Sequence, residues 1–136
     1  MSTHLVETSV LTRYSRPQIA AVLAPLADKG VLARCTLSDL EIGFSASNAR
    51  EWDDRVPWLD RFEAIDVTPA LINRAKIVQR SLADQGLKGR KVPDLIIAAA
   101  AELAGLTLLH YDYDFELIAS VTGQRHTWIV PRGTVD

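Results

Sequence analysis

Residues 93–115 read PDLIIAAAAELAGLTLLHYDYDF. Pro93 suits the first turn of a helix, where a missing N–H costs nothing. The small residues behind it continue the helix until Gly105, a natural closing residue. LTLLH (106–110) then reads as a strand apolar on both faces, the mark of a strand inside a parallel sheet. A helix joined to the next strand by one tight turn must run antiparallel to it. Asp94, at the start of that helix, therefore lies at the carboxyl end of the strand. Asp112 and Asp114 follow the strand at that same end.

The rest of the chain repeats this alternation. HLVE (4–7) predicts the first strand, and Ser15 with Pro17 predicts the start of a helix running to Gly30, bent or ended near Pro25. VLARC (31–35) predicts the second strand. Ser38 and Glu41 have the spacing of a capping box, opening a helical stretch to Ala46. Residues 48–61 predict a helix interrupted near Pro57, and FEAIDV (62–67) a strand. Thr68 caps and Pro69 opens a long amphipathic helix with Leu71, Ala75, Val78 and Leu82 on one face. GLKGRKV (86–92) is a basic loop. After the quoted stretch come a short helix, DFELIASVTG, and a last strand, TWIV (127–130). Five strands separated by helices predict an α/β fold, with a parallel sheet covered by helices on both faces.

Composition narrows the function. The 136 residues fit one domain, 1–136, large enough to bury a core without metal or disulfide staples. The lone cysteine, Cys35, sits in an apolar run and reads as a packed thiol, consistent with a reducing cytoplasm. The N-terminus lacks the pattern of a secretory signal, and the longest apolar run is broken by Glu102 and Gly105, so no membrane span is expected. A net charge of −2 gives no global attraction for nucleic acid, so any RNA contact must rest on local cations or bound metal. Arg13, Arg50, Lys88, Arg90 and Lys91 are the candidates, against a reading as solvated surface.

Four acidic positions gather at the edge where ligands collect in such sheets: Glu7 after the first strand, Glu41 after the second, Asp94, and Asp112 with Asp114 after the fourth. Each alone reads equally as a helix-capping acid. Together, carboxylates sharing a cleft repel one another unless protonated or bridged by hard divalent cations such as Mg²⁺ or Mn²⁺. His110 is the histidine nearest this edge, with packing at the strand end as its ordinary fate. Phe44, Trp52, Trp58 and Leu59 read as core or as an apolar groove for a partner segment.

The segments LVETSVL (5–11), LSDLEIGFSA (37–46), VPDLIIAAAA (92–101) and LLHYDYDFELIA (108–119), in this order, resemble the PIN-domain ribonucleases, most closely VapC-type toxins of bacterial toxin–antitoxin pairs. The resemblance covers nearly the whole chain. It implies a PIN-like three-layer fold with strand order 3-2-1-4-5. It also implies Mg²⁺- or Mn²⁺-dependent hydrolysis of RNA by Glu7, Glu41, Asp94 and Asp112. Asp114, Ser9 and Thr8 would support that site, and Glu7, Asp94 and Asp112 would be the direct metal ligands. It further implies a cognate VapB-type antitoxin whose basic residue enters the acidic cleft, and a homodimer, assembled as a heterotetramer or larger with antitoxin. One departure stands out: this chain has Glu7 where the family usually has aspartate. The competing reading is a catalytically weakened scaffold that acts as a binding protein. A small metal-dependent phosphatase would need a nucleophilic aspartate early in the chain, where Glu7 stands.

Overall fold

The strands are short, three or four residues each, and helices separate them along the chain. The computed structural model describes residues 1–87 and 91–136, so Lys88 and Arg90 lie outside the described residues. Strands β1 (His4–Val6), β2 (Leu32–Cys35), β3 (Glu63–Ile65), β4 (Thr107–His110) and β5 (His126–Trp128) form one sheet of order β3-β2-β1-β4-β5. All four pairings are parallel. The α/β class, the sheet order and the parallel sheet agree with the sequence reading.

Alternation along the strands feeds two cores. Leu5, Ala33, Cys35 and Leu108 point into a layer closed by α5 (Pro69–Asp84), α6 (Val92–Leu103) and α7 (Asp114–Thr122). Val6, Leu32 and Leu109 point into the opposite layer, which holds Ile19 and Leu23 of α2 (Pro17–Asp28) and Ile42 of α3 (Leu37–Phe44). The predicted stripe of α5 is buried at Leu71, Ala75, Val78 and Leu82, and the Thr68 hydroxyl accepts from the Leu71 N–H as its cap. Cys35 is fully buried, and burial pushes its thiol pKa up. Arg34, also on β2, is buried but satisfied: it forks onto Asp39 at 2.7 and 3.0 Å and donates to the Phe62 carbonyl at 2.5 Å. No helix among the described residues is long and apolar enough to cross a membrane.

Four local expectations need correction. Glu7 does not end the strand but caps a four-residue helix, α1 (Thr8–Leu11), too short for periodicity to reveal. Arg16, not Ser15, takes the cap position of α2. That helix continues through Pro25 to Asp28, because Pro25 and Ala21 both face solvent and the carbonyl left unpaired can be hydrated. Ser38 and Glu41 do not form a capping box. The Thr36 N–H still pairs with the Ile65 carbonyl, so α3 starts at Leu37 and Ser38 becomes a buried helical residue. The stretch 48–61 divides into α4 (Ala49–Arg55) and a 3₁₀ turn (Pro57–Arg61), as Pro57 suggested.

Candidate active site: carboxylates at the carboxyl edge of the sheet

The central pair of strands, β1 and β4, aligns Val6 with Leu109, so their following residues leave the sheet side by side. Glu7 is the first residue after β1 and is only 3% exposed. Its main-chain N–H donates to the Leu109 carbonyl at 2.9 Å, which binds it to β4. Its side chain folds back onto α1, where Oε1 accepts from both the main-chain N–H and the hydroxyl of Ser9. The Ser9 hydroxyl in turn accepts from the Tyr111 N–H at 2.8 Å. One serine thus ties the acid after β1 to the loop after β4.

Asp94 lies in the first turn of α6, where the helix dipole favours a negative charge. Yet it is 6% exposed, and its Oδ2 is buried with no hydrogen-bond partner among the described residues. The carboxylates of Asp94, Asp112 and Asp114 each offer an oxygen, all within 4.8 Å of one another. Oxygens of three carboxylates gathered that closely are the ligand type a hard divalent cation such as Mg²⁺ takes. Asp112 Oδ1 also accepts from the Asp114 N–H at 2.9 Å, which fixes the start of α7.

Electrostatics mark the same place. Burial first, reinforced by the charges of Asp94 and Glu41, pushes the Glu7 carboxyl from an ordinary 4.5 up to about 8, although its Ser9 bonds pull the other way. Burial, then the charges of Asp112 and Asp114, push Asp94 from 3.8 up to about 7, with Lys91 acting to lower it. Left alone, such a cluster holds protons. A divalent cation reverses that preference, since it supplies the charge the carboxylates lack. A buried oxygen unpaired among the described residues, beside two further carboxylates and with no thiolate or imidazole in the set, fits a hard cation such as Mg²⁺ or Mn²⁺.

Glu41 projects from α3, and its Oε1 accepts from the Thr8 hydroxyl at 2.7 Å. Because the single Thr8 proton is spent there, the buried Ser38 hydroxyl donates to Thr8 at 2.8 Å. The pair read as a capping box is instead part of the site wall. The structure therefore gathers Asp94, Asp112 and Asp114 into one set. Glu7 and Glu41 stand outside that set of three, each held by a hydroxyl of α1. Asp114, expected only in support, belongs to the set.

His110 is fully buried, stacked on His126 and tilted against Trp128. Its Nδ1 accepts from the Asp112 N–H at 3.3 Å, which leaves Nε2 to carry the proton toward His126 Nδ1 at 2.9 Å. Burial and the His126 charge push its pKa down to about 4, so the ring is neutral at physiological pH. It packs at the strand end and holds the Asp112 main chain.

Of the expected RNA-contacting cations, Lys91 is exposed beside Asp94, and Arg50 is exposed on α4. Arg13 is engaged within the chain: Nη1 donates to the Ser9 carbonyl and Nε to the Asp136 carbonyl, both at 2.7 Å. The four large apolar candidates between 44 and 59 divide. Leu59 is buried and Trp58 partly so, whereas Phe44 is 92% exposed and Trp52 45%. A cleft of about 580 Å³ opens nearby, lined by Leu11, Tyr14, Ile42, Arg55, Trp58 and Leu59 among others. Helices α1 and α3 wall both this cleft and the acidic site, for Leu11 follows Thr8–Ser9 and Ile42 follows Glu41.

Comparison with known proteins agrees with this architecture. The PIN domain family profile matches residues 4–121. The chain is 50% identical over 133 residues to Ribonuclease VapC51 of Mycobacterium tuberculosis, covering 98% of this chain and 97% of that protein. It is 42% identical over 135 residues to Ribonuclease VapC21 of the same species, covering 96% of each. Among solved structures, the fold matches VapBC2 from Rickettsia felis, bound to a DNA fragment from its promoter, with a TM-score of 0.77. That match has 17% identity and covers 93% of this chain and 98% of that one. Fold, strand order and near full-length sequence identity lead to one assignment: this chain belongs to the PIN-domain family, among its VapC-type ribonucleases.

Proposed function

We propose that the protein is the toxin of a type II toxin–antitoxin pair, a cytoplasmic Mg²⁺- or Mn²⁺-dependent endoribonuclease that hydrolyses RNA phosphodiester bonds. The observation that carries this reading is the buried Oδ2 of Asp94, without a hydrogen-bond partner among the described residues, beside the carboxylates of Asp112 and Asp114. The names of its relatives, Ribonuclease VapC51 and VapC21, support the same activity.

In this reading Asp94, Asp112 and Asp114 hold the cation, which when bound supplies a water of lowered pKa and neutralises charge on the phosphate. Glu7 and Glu41, held by Ser9 and Thr8, complete the acidic wall and orient the attacking water. Lys91 at the rim contacts a backbone phosphate; Lys88 and Arg90, close to it in sequence, are further candidates that lie outside the described residues. Excess negative charge confines RNA binding to the metal-loaded state, because an RNA phosphate meets repulsion from the empty cluster.

The cleft lined by Tyr14, Ile42 and Trp58 suits an apolar segment of a VapB-type antitoxin. A basic residue of that segment would reach the acidic wall across α1 and α3 and displace cation or substrate. The likeness to VapBC complexes supports this partner. In the same reading the toxin forms a homodimer that joins antitoxin in a heterotetramer or larger assembly.

The test is cleavage of cellular RNA with Mg²⁺, with EDTA, and by Asp94→Asn. Cleavage should be lost in the last two, and equal cleavage in all three would reject the mechanism. One observation favours the weakened-scaffold reading: Glu7 spends Oε1 on two bonds to Ser9. Glu7→Asp separates the two readings, since faster cleavage by the aspartate marks attenuation and an unchanged rate shows that the longer side chain is accommodated.

A further inference from the structure

The YDYD run at 111–114 carries two acids of the site on alternate positions, and the tyrosines between them face something else. The Tyr111 hydroxyl donates to the Val135 carbonyl at 2.7 Å and accepts from the N–H groups of Gly133 and Val135, both at 3.0 Å. One donor and two acceptor sites are all a phenol offers, so a single hydroxyl organises the whole turn at 131–135. The turn is sharp: Gly133 has φ of 88°, open to glycine, and the Thr134 N–H returns to the Pro131 carbonyl.

Three further contacts tie this segment to the site. Arg132 lies over the Tyr113 ring, with Cζ 4.8 Å from its centre. Arg13 lies over the Tyr111 ring at 5.1 Å while it bridges the Asp136 and Ser9 carbonyls. The main-chain N–H of Tyr111 fixes the Ser9 hydroxyl that holds Glu7. The stretch from the end of β4 to the start of α7, which carries Asp112 and Asp114, is therefore gripped at Tyr111 and Tyr113, and the gripping segment contributes no carboxylate of its own to the cluster.

We propose that segment 131–136 is a positioning element of the acidic site, acting through Tyr111 to hold Asp112 and Asp114 at ligand spacing. The inference rests on the cation-binding reading above and adds to it a part of the chain beyond the matched PIN region, residues 4–121. The carboxylates repel one another, so without an outer restraint the loop would relax outward and the site would lose its preorganisation. Tyr111 is a positioning residue, not a catalytic one.

Tyr111→Phe keeps the ring, its edge contact with Trp128 and its place under Arg13, and removes only the hydroxyl. Arg132→Ala releases Tyr113 from a solvent-exposed side chain. Both are tested in the full chain by Mn²⁺ titration calorimetry and by amide exchange at residues 112–115. Tyr111→Phe should weaken Mn²⁺ binding about tenfold, the low end of losses when a ligand-orienting group is removed, and Arg132→Ala by less. The Asp114 amide should exchange faster in both, with core amides of β4 unchanged. Wild-type Mn²⁺ affinity and Asp114 exchange, alongside faster exchange at Gly133 and Val135, would overturn the proposal, because the segment would then be free without consequence. Failure of the wild-type protein to bind Mn²⁺ would instead remove the cation reading, and the exchange data alone would decide whether the segment holds the loop.

Discussion

Glu7→Gln should stabilise the metal-free protein at neutral pH and do little at pH 5. In the folded chain the Glu7 carboxyl is raised from 4.5 to about 8, chiefly by burial at 3% exposure. A raised carboxyl keeps its proton in the folded state at pH values where the unfolded chain has released it. Above pH 4.5 the unfolded state thus gains stability with each unit of pH, and folding weakens until about pH 8, where the folded carboxyl also ionises. At about 1.4 kcal/mol per unit, with the partial titration near pH 5 included, the loss between pH 5 and pH 7 is about 2 to 3 kcal/mol. For a chain of this length that is a fall in Tm of roughly 6 to 12 °C. Glutamine has no proton to lose, and its carbonyl oxygen still accepts the two Ser9 bonds. Thermal melts of both proteins in EDTA from pH 5 to 8 make the comparison. The wild-type curve should fall toward the alkaline side more steeply than the Glu7→Gln curve. Parallel curves would refute the reasoning, since they would mean that Glu7 ionises freely in its pocket. Saturating Mn²⁺ should flatten the wild-type curve by favouring the ionised cluster.

Three further outcomes are expected. Thr8→Val frees the Glu41 carboxylate and strands the buried Ser38 hydroxyl, so cleavage should fall about tenfold in a single-turnover assay, with a cost near 1 kcal/mol in urea unfolding. Asp39→Ala leaves the buried Arg34 guanidinium with the Phe62 carbonyl and the solvent-exposed Asp60, 3.5 Å away, and should cost about 2 to 3 kcal/mol of stability in urea while the metal site is unaffected. Lys91→Ala should reduce the slope of RNA affinity against log salt by about one, with a uniform weakening across RNA sequences; an unchanged slope would remove Lys91 from the phosphate contacts.

What could be read in the chain was what has a period or a punctuation mark. LTLLH, VLARC and HLV are apolar on both faces because a covered parallel sheet asks for that, and the Thr68–Pro69 start of α5 needs only local chemistry. The acids were legible one by one, since each follows a strand or opens a helix at the same edge. Helix α1 was not legible, because four residues carry no periodic signal and form only when packed. The capping-box spacing at Ser38 and Glu41 misled because the helix begins at Leu37, just after the Thr36–Ile65 bond to β3, two residues too early for Ser38 to cap it.

The sequence by itself determined that this is a doubly covered parallel sheet with acids along one rim, since burial pattern and helix signals are written in neighbouring residues. Only the tertiary structure decided which carboxylates meet. Asp94 and Asp114 are twenty positions apart, and their shared set with Asp112 depends on how α6, β4 and α7 come together. The same holds for Tyr111 and Val135, joined by a single hydroxyl across a fold-dependent gap. Distances between side chains of different elements depend on packing, and packing is settled by the whole chain at once.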